Sequence, residues 1–146
     1  AGAAPPVRGL RPVAAVAPGV AAATGLSLQQ LAAALVGQLH PAAVVCVDSL
    51  CSAEGQRLGR TVQFSDTGLY PAQADHTRHL TRDTLGVPVV AAGIPTLMQA
   101  QEGADLVVTP RALDSVIAHG AALLAGSVNR ALQPRLTVQQ LCWLTG

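Results

Sequence analysis

The sequence has few aromatic residues, no lysine and no long apolar run. Aromatics make up 2% of its 146 residues although half are hydrophobic, so the core must be built from small aliphatic side chains that pack closely. All nine basic residues are arginine, and eight acidic residues leave a formal net charge of +1. That balance excludes the electrostatic footprint of a nucleic-acid or anionic-membrane binder. No apolar run reaches the roughly 20 residues of a membrane-spanning helix, which predicts a soluble domain.

Cysteine is also scarce. The three cysteines, Cys46, Cys51 and Cys142, are odd in number, which argues against a disulfide framework and favours a reducing compartment. Their spacing does not match that of a zinc knuckle, and buried small hydrophobes are the simpler interpretation. The sequence therefore predicts no resident metal and no cofactor.

The chain alternates short Val-rich runs with segments of helical period. We predict strands at 11–17, 43–47, 61–65, 87–92 and 105–109, and helices at 27–39, 110–132 and 136–146, with Ser27 and Thr137 as N-caps. We expect residues 1–10 to be a flexible segment and 11–146 to form one domain. Near-continuous apolar strands between helices are typical of an α/β fold, with a mainly parallel sheet covered on both faces.

Polar residues follow the predicted strands. The run V-V-C-V at 44–47 stops on a carboxylate, Asp48, and Asp66 follows the strand at 61–65. The carboxyl edge of an open α/β sheet is where ligands bind. Two carboxylates held close there can share one proton, so that one activates water and the other polarises a carbonyl. The alternative is that each aspartate caps the following turn.

Five ordered blocks carry a resemblance to a known family. They include V-V-C-V-D-S-L at 44–50, T-V-Q-F-S-D-T-G-L-Y-P at 61–71, V-P-V-V-A-A-G-I-P-T at 87–96 and V-V-T-P-R-A-L-D at 107–114. From about residue 11 to 134 the chain resembles the germination protease family of spore-forming bacteria. The resemblance implies a three-layer α/β/α fold akin to hydrogenase-maturation peptidases. It also implies a zymogen-derived endopeptidase of aspartic type that degrades small acid-soluble spore proteins inside the spore.

The resemblance implies particular site residues. Asp48 matches the strand-end motif that holds one proposed catalytic aspartate of the family, and Asp66 is the candidate for a second acid within this chain. The predicted substrate-binding residues flank the two acids or follow the next strand, and they are Ser49, Ser65, Thr67, Gly68 and Thr96. We expect a protein substrate and neither nucleic acid nor membrane as partner, with the chain in the cytoplasm of the forespore or in the spore core.

Three departures from the family qualify these expectations. The family's other proposed catalytic aspartate lies in an N-terminal half without a counterpart here, the loop at 72–80 is altered, and the insertion before 107 is short. The chain therefore resembles the C-terminal portion of such a protein, and we expect an apolar sheet edge or face, covered by the missing half or by self-association. One alternative is an inactive scaffold or binding module. Another is a metal-dependent hydrolase using Asp75, His76 and His79.

Overall fold

The computed structural model describes residues 9–19, 25–70, 79–99 and 107–145. In chain order the elements are α1 (Leu28–Leu39), β1 (Val44–Ser52), a 3-10 turn (Gly55–Arg57), β2 (Gln63–Ser65), α2 (Arg82–Leu85), β3 (Val89–Gln99), β4 (Val107–Val108), α3 (Leu113–Leu132) and α4 (Val138–Thr145). None of these described helices combines the length and the apolarity needed to cross a membrane.

The sheet is built around β3. β1 runs parallel to it along its whole length, with Val44 opposite Val89 and Asp48 opposite Gly93. β2 lies antiparallel on the other side of β3, and β4 pairs antiparallel with the end of β3. The fold is therefore mixed α/β, as predicted, but the expectation of a mainly parallel sheet is corrected, because parallel pairing joins only β1 and β3 among the described strands.

Two strands are longer than the sequence predicts. β1 continues to Ser52, beyond a shift of register between Leu50 and Cys51, and β3 continues to Gln99. Asp48 and Thr96 therefore lie inside strands, not after their ends as predicted. Each strand lengthens because the other supplies its ladder of hydrogen bonds, a non-local effect that side-chain pattern does not report.

One face of the sheet is covered by α1. Cys46, Val89 and Ala91 are 8%, 2% and 5% exposed and form a cluster with Leu69, Leu80 and Leu85, against which Leu28, Ala32 and Val36 of α1 pack. The helix begins as predicted at Ser27, whose hydroxyl accepts from the backbone N–H of Gln30 at 3.2 Å while the Gln30 side chain accepts from the Ser27 N–H at 2.9 Å. We call this side the covered face.

The opposite side is covered only in part, by α3. Gly120 of α3 lies against Ile94 of β3, so closely that a Cβ on Gly120 would collide with the Ile94 side chain. The buried positions of α3 are Gly120 and Leu124, with Val116 half-buried, whereas Ile117 is 50% exposed. The face of α3 that meets the sheet is therefore not the predicted one through Ile117 and Ala121. It runs through Gly120, because glycine permits the closest approach to the sheet. α3 begins at Leu113, three residues after the predicted start.

Part of that side is exposed. Val45, Val47, Phe64 and Val90 are 40%, 56%, 63% and 37% exposed. Register places Val45 opposite Val90, and places Val47 and Phe64 on either side of Ala92, so the four side chains share one surface of the sheet. We call this surface the open face. An exposed apolar patch that crosses three strands is typical of an interaction surface.

The predicted strand at 11–17 is wrong, because residues 9–19 have no regular secondary structure. Pro12 and Pro18 lack the N–H groups that a ladder needs, and no described strand lies beside this segment. The segment is instead held at Arg11, whose N–H donates to Gln133 Oε1 and whose carbonyl accepts from Gln133 Nε2, both at 2.9 Å.

The predicted C-terminal helix is confirmed as α4. Thr137 caps it, since Gln140 N–H donates to the Thr137 hydroxyl at 3.2 Å and Gln140 Oε1 accepts from the Thr137 N–H at 2.9 Å. Of the predicted strand at 105–109, Val107–Val108 form β4 and Thr109 is outside the strand, while residues 105 and 106 lie outside the described residues.

Candidate functional site

Asp48 is an exposed carboxylate in the middle of β1. Its Oδ1 accepts from the backbone N–H of Ser49 at 2.8 Å. No other hydrogen bond or ion pair to this carboxylate occurs within the described ranges, so its second oxygen is open to solvent. An acid that follows an apolar run would need a partner if it were buried. Asp48 is exposed, and a carboxylate in contact with water needs no buried partner.

Gly93 lets β1 come close at Asp48. A Cβ on Gly93 would collide with the carbonyl oxygen of Asp48 and lie 2.7 Å from Cγ of Leu50. The absence of a side chain at Gly93 therefore permits the close approach of β1 at Asp48, and Gly93 is a positioning residue that the sequence prediction missed. A glycine inside a strand pattern marks close approach of another backbone, and that signal was present in V-V-A-A-G-I-P at 89–95.

Cys46 lies beside Asp48 on the covered side of β1, two residues away. Burial raises the pKa of the Cys46 thiol, and the negative charge of Asp48 raises it further. The thiol therefore stays protonated at neutral pH. A protonated, buried cysteine is a packing residue and not a nucleophile.

The residues S-D-T-G at 65–68 form a turn at the end of β2. The hydroxyls of Ser65 and Thr67 are 2.7 Å apart, and the Thr67 N–H donates to the Ser65 hydroxyl at 3.2 Å. Gly68 has φ +109°, and a Cβ there would collide with the Leu80 carbonyl. Leu69 and Leu80 then exchange two backbone hydrogen bonds of 2.9 and 3.1 Å. These residues thus have local structural contacts, while their predicted binding role stays a prediction.

The structure does not bring the two predicted acids together. Asp48 is on β1 and Asp66 follows β2, and β3 lies between these strands. Two strand spacings put their backbones about 10 Å apart across the sheet, and the register separates them further, since Asp48 is level with Gly93 and Ser65 with Ala91. Two carboxyls share a proton only at about 3 Å. In this arrangement Asp66 cannot be the mate of Asp48.

The remaining predicted residues are scattered. Ser49 is exposed beside Asp48, whereas Thr96 is 6% exposed within β3 and offers little surface to a substrate. His79 stacks edge-on against the Tyr70 ring, with centroids 5.0 Å apart. Asp75 and His76, the other members of the predicted metal cluster, lie outside the described residues. Within those residues, no group of three potential metal ligands is found.

A hydroxyl and an imidazole also meet on α3. Ser115 Oγ lies 3.1 Å from Nδ1 of His119, and this Nδ1 is 2.8 Å from the Ser115 carbonyl oxygen. The carbonyl can only accept, so Nδ1 carries the proton and cannot also take one from the Ser115 hydroxyl. The pair is not an activated serine.

Comparison with known proteins bears directly on the Asp48 region. The family model described as "Germination protease" matches residues 6–102, which include both Asp48 and the S-D-T-G turn. The chain belongs to the germination protease family. A germination protease of Clostridium perfringens is 29% identical over 180 residues, covering 90% of this chain and 55% of the relative. The germination protease of Halalkalibacterium halodurans is 38% identical over 113 residues, covering 76% of this chain and 29% of the relative.

The relatives in the germination protease family are longer than this chain. That of Bacillus velezensis is 33% identical over 129 residues, which cover 86% of the chain and 34% of the relative. The chain thus spans about half or less of the length of the curated relatives it matches. The alignment of 180 residues also exceeds the 146 residues of the chain, so the Clostridium relative has extra residues within the matched region.

Proposed function

We propose that this chain is the part of a germination-protease-type endopeptidase that supplies one catalytic carboxylate, Asp48. The observation that carries the proposal is the position of Asp48, exposed on β1 inside the region that matches the family. The substrates we propose are small acid-soluble spore proteins, reached in the spore interior after activation of a zymogen. The corresponding complete fold is three-layered and akin to hydrogenase-maturation peptidases.

The proposed chemistry is activation of water by a carboxylate. The Ser49 N–H holds Oδ1 of Asp48 at 2.8 Å, which orients the side chain and leaves Oδ2 to take a proton from water. A second carboxyl group, kept protonated, would polarise the scissile carbonyl. Aspartic-type hydrolysis therefore requires another acid within a few ångströms of Asp48.

That second acid comes from another polypeptide region, because Asp66 lies on the far side of β3. One observation supports a polypeptide beside Asp48. β1 pairs only with β3 among the described strands, so its outer edge has unpaired N–H and C=O groups. A polypeptide equivalent to the unmatched half of the relatives, or a second copy of the chain, would cover this edge. The open face, where Val47 and Phe64 are more than half exposed, lies on the other side of the sheet from the Asp48 side chain, and its covering is a separate expectation.

The separation of the two acids also favours a second candidate function. If no other polypeptide supplies an acid, the chain is a catalytically incomplete homologue that acts as a scaffold or binding module. This candidate differs from the first in one respect that can be measured, namely whether Asp48→Asn changes the activity.

The deciding experiment is mass spectrometry of a small acid-soluble spore protein incubated with the chain. The chain is tested alone and together with the unmatched part of the Clostridium perfringens relative. We expect discrete cleavage only in the combined sample, and a loss of at least about 100-fold with Asp48→Asn. Asp66→Asn is the matched control and is expected to retain cleavage. Cleavage that survives Asp48→Asn would refute the catalytic role, and intact substrate in every sample would select the scaffold.

Covering of the open face is tested separately by light scattering. We expect the chain alone to self-associate, and Val47→Ser with Phe64→Ser to reduce that association, since both side chains are exposed and apolar. A monodisperse monomer for the unsubstituted chain would contradict the expectation.

A further inference from the structure

A small pocket lies where the segment before α1 meets the end of α3. It has a volume of about 260 Å³ and is lined by Gly9, Arg11, Gln133, Pro134, Arg135 and Leu136. We call it the corner pocket. None of its residues belongs to the Asp48 region, and the family match at residues 6–102 covers only its N-terminal wall.

The walls of the corner pocket are held by specific hydrogen bonds. The Gln133 amide bonds both the N–H and the C=O of Arg11 at 2.9 Å, which fixes the N-terminal wall. Arg130 fixes the other wall, since its Nη1 donates to the carbonyl oxygens of Pro134 and Leu136, each at 2.8 Å. The concave shape is therefore built by contacts between distant parts of the chain.

Two guanidinium groups of the corner pocket have no partner among the residues that the structure describes. Arg130 is occupied by carbonyl oxygens, and Arg57 forms an ion pair with Glu54 at 3.0 Å. The Arg11 and Arg135 side chains form neither a hydrogen bond nor an ion pair with any residue of the described ranges. Both residues are exposed and line the pocket, so their guanidinium donors are free to bind a ligand there.

No carboxylate of α3 compensates this charge. The acidic residue in α3 is Asp114, in its first turn, and a rise of 1.5 Å per residue places it about 28 Å from Gln133. The chain as a whole is nearly neutral, at +1, so the positive charge at this corner is a local concentration. Concave basic surfaces focus the field and raise the local concentration of anions.

We propose that the corner pocket binds one oxyanion, a carboxylate or phosphate group, between the guanidinium groups of Arg11 and Arg135. The planar fork of arginine matches two oxygens of such a group. Gly9 has φ +76°, and the point where its Cβ would be is 4.0 Å from Nη1 of Arg135, so the Arg135 guanidinium lies against backbone that carries no side chain. The proposal is independent of the catalytic role of Asp48.

The test is a titration of the chain with inorganic phosphate, followed by NMR of the arginine Nε–H signals at low salt. We expect saturable shifts at Arg11 and Arg135, and about a tenfold or greater weakening of binding in each of Arg11→Gln and Arg135→Gln. Arg111→Gln is the matched control, an exposed arginine at the opposite end of α3, and should bind as the unsubstituted chain does.

Folding does not confound these variants. The clamp on Arg11 uses its backbone, and both side chains are exposed, so the dispersion of the amide spectrum should persist. Arg135→Lys keeps the positive charge but loses the planar guanidinium fork. We expect this variant to bind phosphate more weakly than the unsubstituted chain does. Shifts that grow linearly without saturation, or an equal loss with Arg111→Gln, would overturn the proposal, because an ion atmosphere would explain both.

A second titration distinguishes the source of the oxyanion. A short glutamate peptide with blocked termini is compared with its glutamine counterpart. Displacement of phosphate by the glutamate peptide alone would identify a polypeptide carboxylate as the ligand. Saturable phosphate binding that neither peptide displaces would identify the free anion.

Discussion

The two faces of the sheet are built from similar residues but have opposite surroundings. On the covered face, Val89 and Ala91 are almost fully buried by α1 and by the turn at 65–69. On the open face, Val45, Val47 and Val90 keep 40%, 56% and 37% of their surface. Valine at adjacent positions of one strand thus serves both as core and as exposed surface. The contrast shows that the hydrophobic pattern specifies a two-sided sheet, of which the described residues cover one side fully and the other only in part.

The largest effect should come from the residue that sets the spacing of the two central strands. Gly93→Ala would drive a Cβ into the Asp48 carbonyl and the Leu50 side chain, and we expect it to lower the free energy of unfolding by about 3 kcal/mol. Urea denaturation measures this. Gly37→Ala is the control, because nothing lies within 4 Å of its Cβ and alanine favours a helix by about 1 kcal/mol. Equal effects of the two substitutions would refute the close approach at Gly93.

Matched valines test the contrast between the faces directly. Val89→Ala on the covered face should cost about 2 kcal/mol, from two lost methyl groups and the cavity they leave. Val47→Ala on the open face should cost less than about 0.5 kcal/mol in the chain alone, because this side chain is 56% exposed. Comparable losses of unfolding free energy for Val89→Ala and Val47→Ala would show that the open face is covered in solution. In that case the Val47 effect should diminish on dilution, as self-association does.

The smallest expected effect is a pH dependence of the folding stability, caused by Cys46 on the covered face. The pKa of Cys46 is raised in the folded state above its ordinary value of 9.0, first by burial and then by Asp48. The unfolded chain therefore loses the thiol proton at a lower pH than the folded chain. The resulting stabilisation is complete below about pH 9 and is lost as the pH rises above it.

Cys46→Ala should remove this dependence. Thermal unfolding is measured between about pH 7.5 and about pH 10 for Cys46→Ala and for Cys142→Ala. The second variant is the control, because Cys142 is exposed. An unchanged decline in Cys46→Ala would assign the pH effect to another group.

The helices were predictable because their determinants are local. Leucine and valine spacing defines α1, and reciprocal bonds at Ser27 and Thr137 fix two helix starts that the sequence predicts. Strand ends were not predictable, since the length of β1 depends on β3, where Val44 pairs with the distant residue Val89. The segment at 11–17 has strand-like composition yet no partner among the strands that the structure describes, and composition alone cannot reveal that.

The candidate site also combines features that local sequence predicts with features that depend on distant parts of the chain. Asp48 was identified from its place after an apolar run, and the structure leaves it exposed and reachable. Its distance from Asp66 depends on the order β1, β3, β2, which local pattern does not encode. The role of Gly93 could have been inferred from a glycine inside a strand, whereas its contact with the Asp48 carbonyl required the register.

The clamp between Gln133 and Arg11 has a consequence for the order of folding during synthesis. Its partners are 122 residues apart in sequence, so the N-terminal segment leaves the ribosome long before its anchor exists. We expect β1, α1 and β3 to assemble first, and the segment around Arg11 to join Gln133 only after α3 has been translated. A nascent chain stalled before residue 133 would then show a protected sheet and a protease-sensitive segment around Arg11.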